Sequence, residues 1–305
     1  MQQFPSQNLH GENTRNNELQ AFLFVFFVLR NMKKRTEWSH KYDFGHLLVV
    51  GGNWKYSGSP AFNALAALRS GVDLVTITAP ERAANIIATF SPDLITVPLV
   101  GNYITSEHVE LITDIAKNEK VSAVVVGGGM GRQVETLDAI KKIHEQVDLP
   151  FVFDADALYA IAMGNLKPRE NDILTPHGGE FNALFGIKPS TNIKERKKQA
   201  ENAANRTHCV ILLKGWIDII TDGKKTQMIK KSRETVYMTK GGTGDVLAGI
   251  AGGLLAQGIQ PFEAACLAAK INGVAGEKLG KEKKAGLLAS DLLEKIPAAL
   301  KKLKN

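Results

Sequence analysis

From residue 46 the chain alternates two apolar patterns, and this alternation narrows the fold more than any other feature. Continuous apolar runs bounded by turn residues predict buried strands at "HLLVVGG" (46–52), "DLVTITAP" (73–80), "DLITVPLV" (93–100), "SAVVVGGG" (122–129) and "PFVFDADAL" (150–158). Between them, apolar residues recur at helical spacing in "SPAFNALAALRSG" (59–71), "ERAANIIATF" (81–90), "SEHVELITDIAK" (106–117) and "VETLDAIKKIHEQV" (134–147). Strands apolar on both faces, each followed by an amphipathic helix, require a parallel sheet covered on both sides. The expected fold class is therefore α/β, with a mostly parallel central sheet between helical layers. Past residue 205 the rhythm changes. "CVILLKG", "IDIITDGKK" and "TQMIKKS" predict short strands with a hairpin turn at "DGKK", and three helices follow at 244–257, 261–279 and about 288–302.

Composition closes off several function classes. With 305 residues, 44% of them hydrophobic and 23% charged, the chain can bury the core that such a sheet needs. Cys209 and Cys266 lie far apart in apolar runs, which excludes a disulfide framework or paired-cysteine metal site and points to a reducing, cytoplasmic setting. The net charge of +7 gathers in "KERKK" (194–198), "KLGKEKK" (278–284) and the terminal "KKLKN". Without interleaved aromatics these predict solvated helix faces and not a nucleic-acid surface. Residues 1–20 are polar, and "AFLFVFFVL" (21–29) follows. That run is too short for a bilayer, which takes roughly 20 residues, and it lacks the flanks of a secretory signal. Met32 opens "MKKRTEWSHKYDFG", so the expected division is an extension over 1–31 and a single domain over 32–305.

In open parallel sheets, ligands bind beyond the carboxyl ends of the strands. Six polar or glycine-rich segments are expected on that edge: "GGNWKYSGSP" (51–60), "GGGMGR" (127–132), "DADAL" (154–158), "TPHGGE" (175–180), "KGWID" (214–218) and "KGGTGD" (240–245). One shared cleft explains them better than six separate turns. In the last, Gly241, Gly242 and Gly244 precede Asp245 at the mouth of an apolar helix, where bare N–H groups and the helix dipole favour an anion. Taken alone, Asp245 fits a helix-start acid equally well. "TPHGGE" sets His177 and Glu180 on one side of a helix's first turn. One histidine and one carboxylate fall short of a zinc site, and Glu180 suits either a Mg2+-bound water or the helix N-terminus. Neither a P-loop nor a full dinucleotide fingerprint is present.

The ordered set "KYDFGHLLVVGG", "ALRSGVDLVT", "DADAL", "TPHGGEF", "LLKG" and "GGTGDVLAGI" resembles the NAD(P)H-hydrate dehydratase family, within the ribokinase-like superfamily, from about Lys41 to about residue 300. The resemblance implies a stand-alone ribokinase-like dehydratase domain. Its implied activity is a lyase reaction of metabolite repair: ADP- or ATP-dependent, Mg2+-assisted dehydration of the S form of hydrated NADH or NADPH. The ring hydroxyl is phosphorylated and phosphate is then lost, which makes chemical sense because hydroxide is a poor leaving group. By the same resemblance, Asp245 is the base, and the N–H groups of Gly242, Thr243 and Gly244 hold the phosphoryl oxygens. Ser59, Gly131, His177 and Asp245 meet the hydrated dinucleotide. Lys214, Gly215, Trp216, Ile217, Asp218 and Gly244 meet the nucleotide, and Glu180 organises Mg2+ indirectly.

Only 40 residues precede Lys41, too few for the epimerase domain that many relatives carry, so a separate epimerase is the implied pathway partner. Homo-oligomer formation is left open. The small-residue stretch "AACLAAKINGVAG" (264–276) is expected in the core. A ribokinase-like kinase of a small vitamin-precursor alcohol is the alternative. It would share the glycine loop and Asp245, but "TPHGGE" and "GGGMG" favour the larger dinucleotide. A pure nucleotide sensor gains little from a desolvated carboxylate beside phosphates. Three departures from the family pattern stand out: Tyr42 in place of glycine, "GGGMG" for G-P-G-L-G, and "ETVYM" (234–238) for G-N-x-G-M.

Overall fold

The computed structural model describes residues 28–30, 32–164 and 166–304. Among these, the strands β1 (His46–Val50), β2 (Leu74–Pro80), β3 (Ile95–Leu99), β4 (Ala123–Val126), β5 (Phe151–Phe153), β6 (Ile173–Leu174), β7 (Val210–Leu213), β8 (Ile217–Thr221) and β9 (Thr226–Lys230) form one sheet. Its order is β3-β2-β1-β4-β5-β6-β7-β8-β9. Neighbours from β3 to β7 are parallel, whereas β8 is antiparallel to both β7 and β9.

Side-chain alternation along the central strands builds the two cores. Leu47, Val49, Ala123 and Val125 face a core shared with helices α1 (Gly58–Ser70), α2 (Glu81–Ile87), α8 (Thr243–Ala256), α9 (Pro261–Lys283) and α10 (Ala289–Lys304). Leu48, Val50, Val124 and Val126 face the other, with α3 (Val109–Asn118), α4 (Val134–Gln146), α5 (Leu158–Ala162), α6 (Gly178–Phe185) and α7 (Ile193–Thr207). The doubly covered, mostly parallel sheet is therefore the expected one.

Two details differ from the sequence pattern. Strand β6 is only two residues long, too short to carry a periodic signal, and its pairing with β5 and β7 defines it. "KGGTGD" does not directly follow a strand. The chain leaves β9, makes a 3-10 segment over Arg233–Met238, and then enters the glycine loop. Because β9 runs in the same direction as β7, this still delivers the loop to the edge where the parallel strands end.

Residues 1–27 and 31 of the expected extension lie outside the described residues. Val28 and Leu29, which lie before the expected division at Met32, are 4% exposed and belong to the first core. The small-residue stretch of α9 is buried within the fold, and Cys209 and Cys266 are buried free thiols. No helix among the described residues is long and apolar enough to cross a membrane. Tyr42 has φ of 78°, a left-handed conformation that explains the glycine usual at this position; its ring lies about 5 Å from both the Lys41 and Lys120 ammonium groups.

Helix α8 is buried from Val246 to Ala256, in a slot between α1 and the sheet. The slot is so narrow that a Cβ at Gly249 would run into the backbone of Asn63 on α1, while one at Gly252 would strike Val125 of β4. These contacts set the height of the α8 N-terminus, and hence of Asp245, above the sheet. Gly249→Ala is expected to lower unfolding stability by about 1–3 kcal/mol, the usual cost of overpacking, as read from denaturant melts. Gly286→Ala, where a Cβ would meet open space, should leave the melt unchanged.

Candidate active site

The carboxyl ends of β5, β6 and β7 lie side by side, so the residues just beyond them converge. Asp154 follows β5, Thr175 follows β6 and Lys214 follows β7. The Lys214 ammonium donates to Asp154 Oδ1 at 2.7 Å, Thr175 Oγ1 donates to the same oxygen at 2.6 Å, and Glu180 Oε2 lies 3.7 Å from the ammonium. Burial pushes the Lys214 pKa down, but Asp154 and Glu180 more than offset this and leave it above the ordinary lysine value.

Glu180 is placed by the start of α6. Its Oε2 accepts from the His177 N–H at 2.7 Å, while His177 Nδ1 accepts from the N–H groups of Gly179 and Glu180 at 3.0 and 3.1 Å. This reciprocal cap leaves His177 Nε2 3.3 Å from Glu180 Oε1 and holds the side chain at the cavity wall. The helix-start role of Glu180 and its place beside the cleft are thus both realised.

Asp245 enters from the opposite side, on the first turn of α8. Gly242, the N-cap, has φ of 92°, a conformation that glycine adopts without strain, and no side chain caps the helix. The N–H groups of Gly242, Gly244 and Asp245 make no hydrogen bond among the described residues, so three donors stand open at a positive helix end. Thr243 differs from the expectation. Its N–H turns toward Lys240 O at 3.5 Å, and its hydroxyl donates to Met238 O and Lys240 O, tying the loop down.

The Asp245 carboxyl titrates at about 7: burial pushes it up first, Asp154 and Glu180 push further, and a hydrogen bond from Ser59 and the Lys214 charge draw it down. On this side Asn63, one turn after Ser59 on α1, donates to the Asp245 carbonyl at 2.7 Å. A Cβ at Gly128 would lie 3.1 Å from Asp245 Oδ1, so the "GGGMG" loop forms the floor here.

A cavity of about 640 Å³ joins these groups. Asp154, His177, Glu180, Lys214, Gly215, Trp216, the glycine loop and Asp245 all line it. Among the described residues no cluster of three or more His, Cys, Asp or Glu could hold a metal alone. Asp154 and Glu180 fit Mg2+ that arrives on phosphates with its water shell, since such an ion needs only one or two carboxylates. A larger cavity of about 770 Å³ lies at the far ends of α1 and α8. Of its seven cations, Lys33, Arg35 and Arg69 pair with Asp43, Asp73 and Glu294, while Arg30, Lys34, Lys301 and Lys304 complete a basic rim that the helix C-termini favour.

Residues 47–298 match the family model described as NAD(P)H-hydrate dehydratase. The chain belongs to the NAD(P)H-hydrate dehydratase family. It is 37% identical over 277 residues to the ADP-dependent (S)-NAD(P)H-hydrate dehydratase of Cenarchaeum symbiosum, covering 90% of this chain and 94% of that one. It is 39% identical to the bifunctional NAD(P)H-hydrate repair enzyme of Pyrobaculum aerophilum over 90% of this chain, but spans only 54% of that protein. The chain thus covers about half the length of the first curated relatives it matches. Among solved structures it resembles the ADP/ATP-dependent NAD(P)H-hydrate dehydratase of Bacillus subtilis, co-crystallized with ATP and Mg2+. The identity there is 26% and the TM-score 0.77, covering 92% of this chain and 97% of that one.

Some family-implied residues lie away from the cavity. Ile217 and Asp218 sit in β8 and do not line it; the Asp218 carboxylate is fully buried, accepts from the Gly215 N–H at 2.8 Å and pairs with Lys231 at 2.9 Å. The Gly131 N–H is already committed to Asp156 Oδ2 at 2.9 Å. Ser59 stands on the Asp245 side, beyond the lining. Asp154 and Asn63 are the groups that sequence reasoning passed over. The signal for Asp154 was its place directly after a strand in "DADAL"; that for Asn63 was its helical spacing from Ser59.

The raised Asp245 pKa has a consequence for stability. An unfolded aspartate titrates near 3.8, so the folded chain keeps a proton there that the unfolded chain has released. The contribution of Asp245 to stability is full below about pH 4 and lost as pH rises through about 7. Asp245→Asn, which removes the charge, should raise the melting temperature at about pH 8 and leave it nearly unchanged at about pH 4. Equal shifts at the two pH values would contradict the placement.

Proposed function

We propose that the protein is an ADP- or ATP-dependent dehydratase that restores hydrated NADH or NADPH, with the S form as substrate and AMP or ADP and phosphate as products. The observation that carries this is Asp245 beside three open N–H donors in one cavity with Lys214, in a chain of this family. Trp216, Gly215 and Gly244 line the nucleotide side, with Lys214 beside the terminal phosphate. Ser59 and the "GGGMG" floor face the dinucleotide side, and His177 meets the substrate at the wall.

Ionised Asp245 takes the proton of the ring hydroxyl, whose oxygen then attacks the terminal phosphorus of the nucleotide. The bond between that phosphorus and the bridging oxygen breaks as the new one forms. The N–H groups of Gly242, Gly244 and Asp245 hold the phosphoryl oxygens, each worth roughly 3–4 kcal/mol if it acts as oxyanion donors do elsewhere. Mg2+, carried on the phosphates beside Asp154 and Glu180, supplies charge neutralisation when bound. The ring nitrogen lone pair next expels phosphate, and loss of a proton from the neighbouring carbon restores the double bond. A separate epimerase would supply the S form from its epimer. We place the protein in the cytoplasm, where NADH and NADPH are used, and assign residues 32–305, with Val28 and Leu29 packed into the same core, as one catalytic unit.

Purified protein given chemically hydrated NADH, Mg2+ and ADP or ATP should restore absorbance near 340 nm. Asp245→Asn should slow this at least about 1,000-fold while still binding nucleotide. No recovery with either nucleotide would leave the small-alcohol kinase as the better account.

The rate should climb with pH through about 7, as Asp245 ionises. Ser59→Ala removes a hydrogen bond that favours the ionised form, so its rising limb should move to higher pH. A limb that stays in place would show that Ser59 does not act on Asp245.

A further inference from the structure

Asn272 lies on α9 at 4% exposure and lines the same cavity as Lys214 and the glycine loop. Its Oδ1 is buried without a hydrogen-bond partner. An unpaired buried carbonyl oxygen costs about 1–3 kcal/mol, and a side chain that carries one at a cavity wall gains by turning it toward a donor on a ligand. The neighbouring polar groups do not supply it. Lys231 is paired with Asp218 at 2.9 Å, and Thr235 Oγ1 donates to Ser232 O at 2.7 Å. Val236, Met238 and Leu247 give this part of the wall an apolar surface, with Thr239 and Lys240 further along the lining, and Met238 packs against Gly276, one helical turn beyond Asn272. An apolar wall with a single unsatisfied carboxamide suits a flat heterocycle that needs reading along one edge.

We propose that Asn272 reads the base of the nucleotide and selects adenine by accepting a hydrogen bond from its 6-amino group. This rests on the nucleotide-dependent function above. Adenine presents a donor beside an acceptor along its N6/N7 edge, the complement of a carboxamide. Guanine and hypoxanthine present two acceptors there, which leaves the amide oxygen unpaired. Rotation of the amide by half a turn exchanges its ends, so Asn272 can bring its oxygen to the 6-amino group without backbone movement.

Titration calorimetry with Mg2+ and three probes tests this on the full chain: ADP, GDP, and purine riboside 5′-diphosphate, which lacks only the 6-amino group. ADP should bind wild type about tenfold more tightly than either of the others. Asn272→Leu and Asn272→Ala, checked for folding by their melting temperatures, should bind all three alike. Equal affinity of wild type for ADP and the purine riboside analogue would overturn the proposal whether or not the variants fold. A variant that keeps the ADP preference would overturn it too. If wild type binds none of the three, nor ATP, the nucleotide-dependent function itself fails, and the base-reading role with it.

Discussion

One ammonium group among three carboxylates organises this site. Lys214 is bonded to Asp154, lies near Glu180 and feels the charge of Asp245. The outcome is uneven. Lys214 stays charged, whereas Asp245, partly buried beside the open donors, is held at a pKa of about 7. A carboxylate of that strength is a far better proton acceptor than a solvent-exposed aspartate, as the proposed mechanism requires of Asp245. Removing Lys214 would leave Asp154 and Glu180 as uncompensated buried charges, so the lysine is a structural element as much as a chemical one.

The scaffold produces this arrangement by topology and by close packing. Strands β5, β6 and β7 are neighbours, which brings Asp154, Thr175 and Lys214 together although they are distant in sequence. The opposite wall depends on α8 lying against α1 closely enough for backbone to meet backbone at Gly249, and for Asn63 to bond the Asp245 carbonyl. Asp245 is therefore positioned from behind by helix packing and from the front by charge. Overpacking the slot and altering the charges are independent ways to disturb the same carboxyl group.

The layered sheet was legible in the sequence because continuous apolar runs and amphipathic helices have no other economical packing. That the glycine loop, Asp245, His177 and Glu180 would border one cleft was legible too, since each belongs to a polar segment expected at the same sheet edge. Asp154 was harder to see: an acid after a strand is ordinary until the order β5-β6-β7 puts a lysine next to it. Strand β6 left no periodic trace in two residues. Asp218 follows Lys214 closely enough to look like a cleft residue, yet the reversal into β8 turns its side chain inward, under the turn. Thr243 sits within the glycine loop, but its hydroxyl ties the loop down while its neighbours present the open N–H groups.

The central claim is that the substrate's own hydroxyl is phosphorylated before it leaves. Hydrated NADH prepared in water enriched in oxygen-18 carries the label on the ring hydroxyl. Turnover with ADP and Mg2+ in ordinary water, followed by mass analysis of the released phosphate, shows where that oxygen goes. The mechanism built on Asp245, the open loop and Lys214 predicts one labelled oxygen in each phosphate. Unlabelled phosphate, with the label in water, would contradict it.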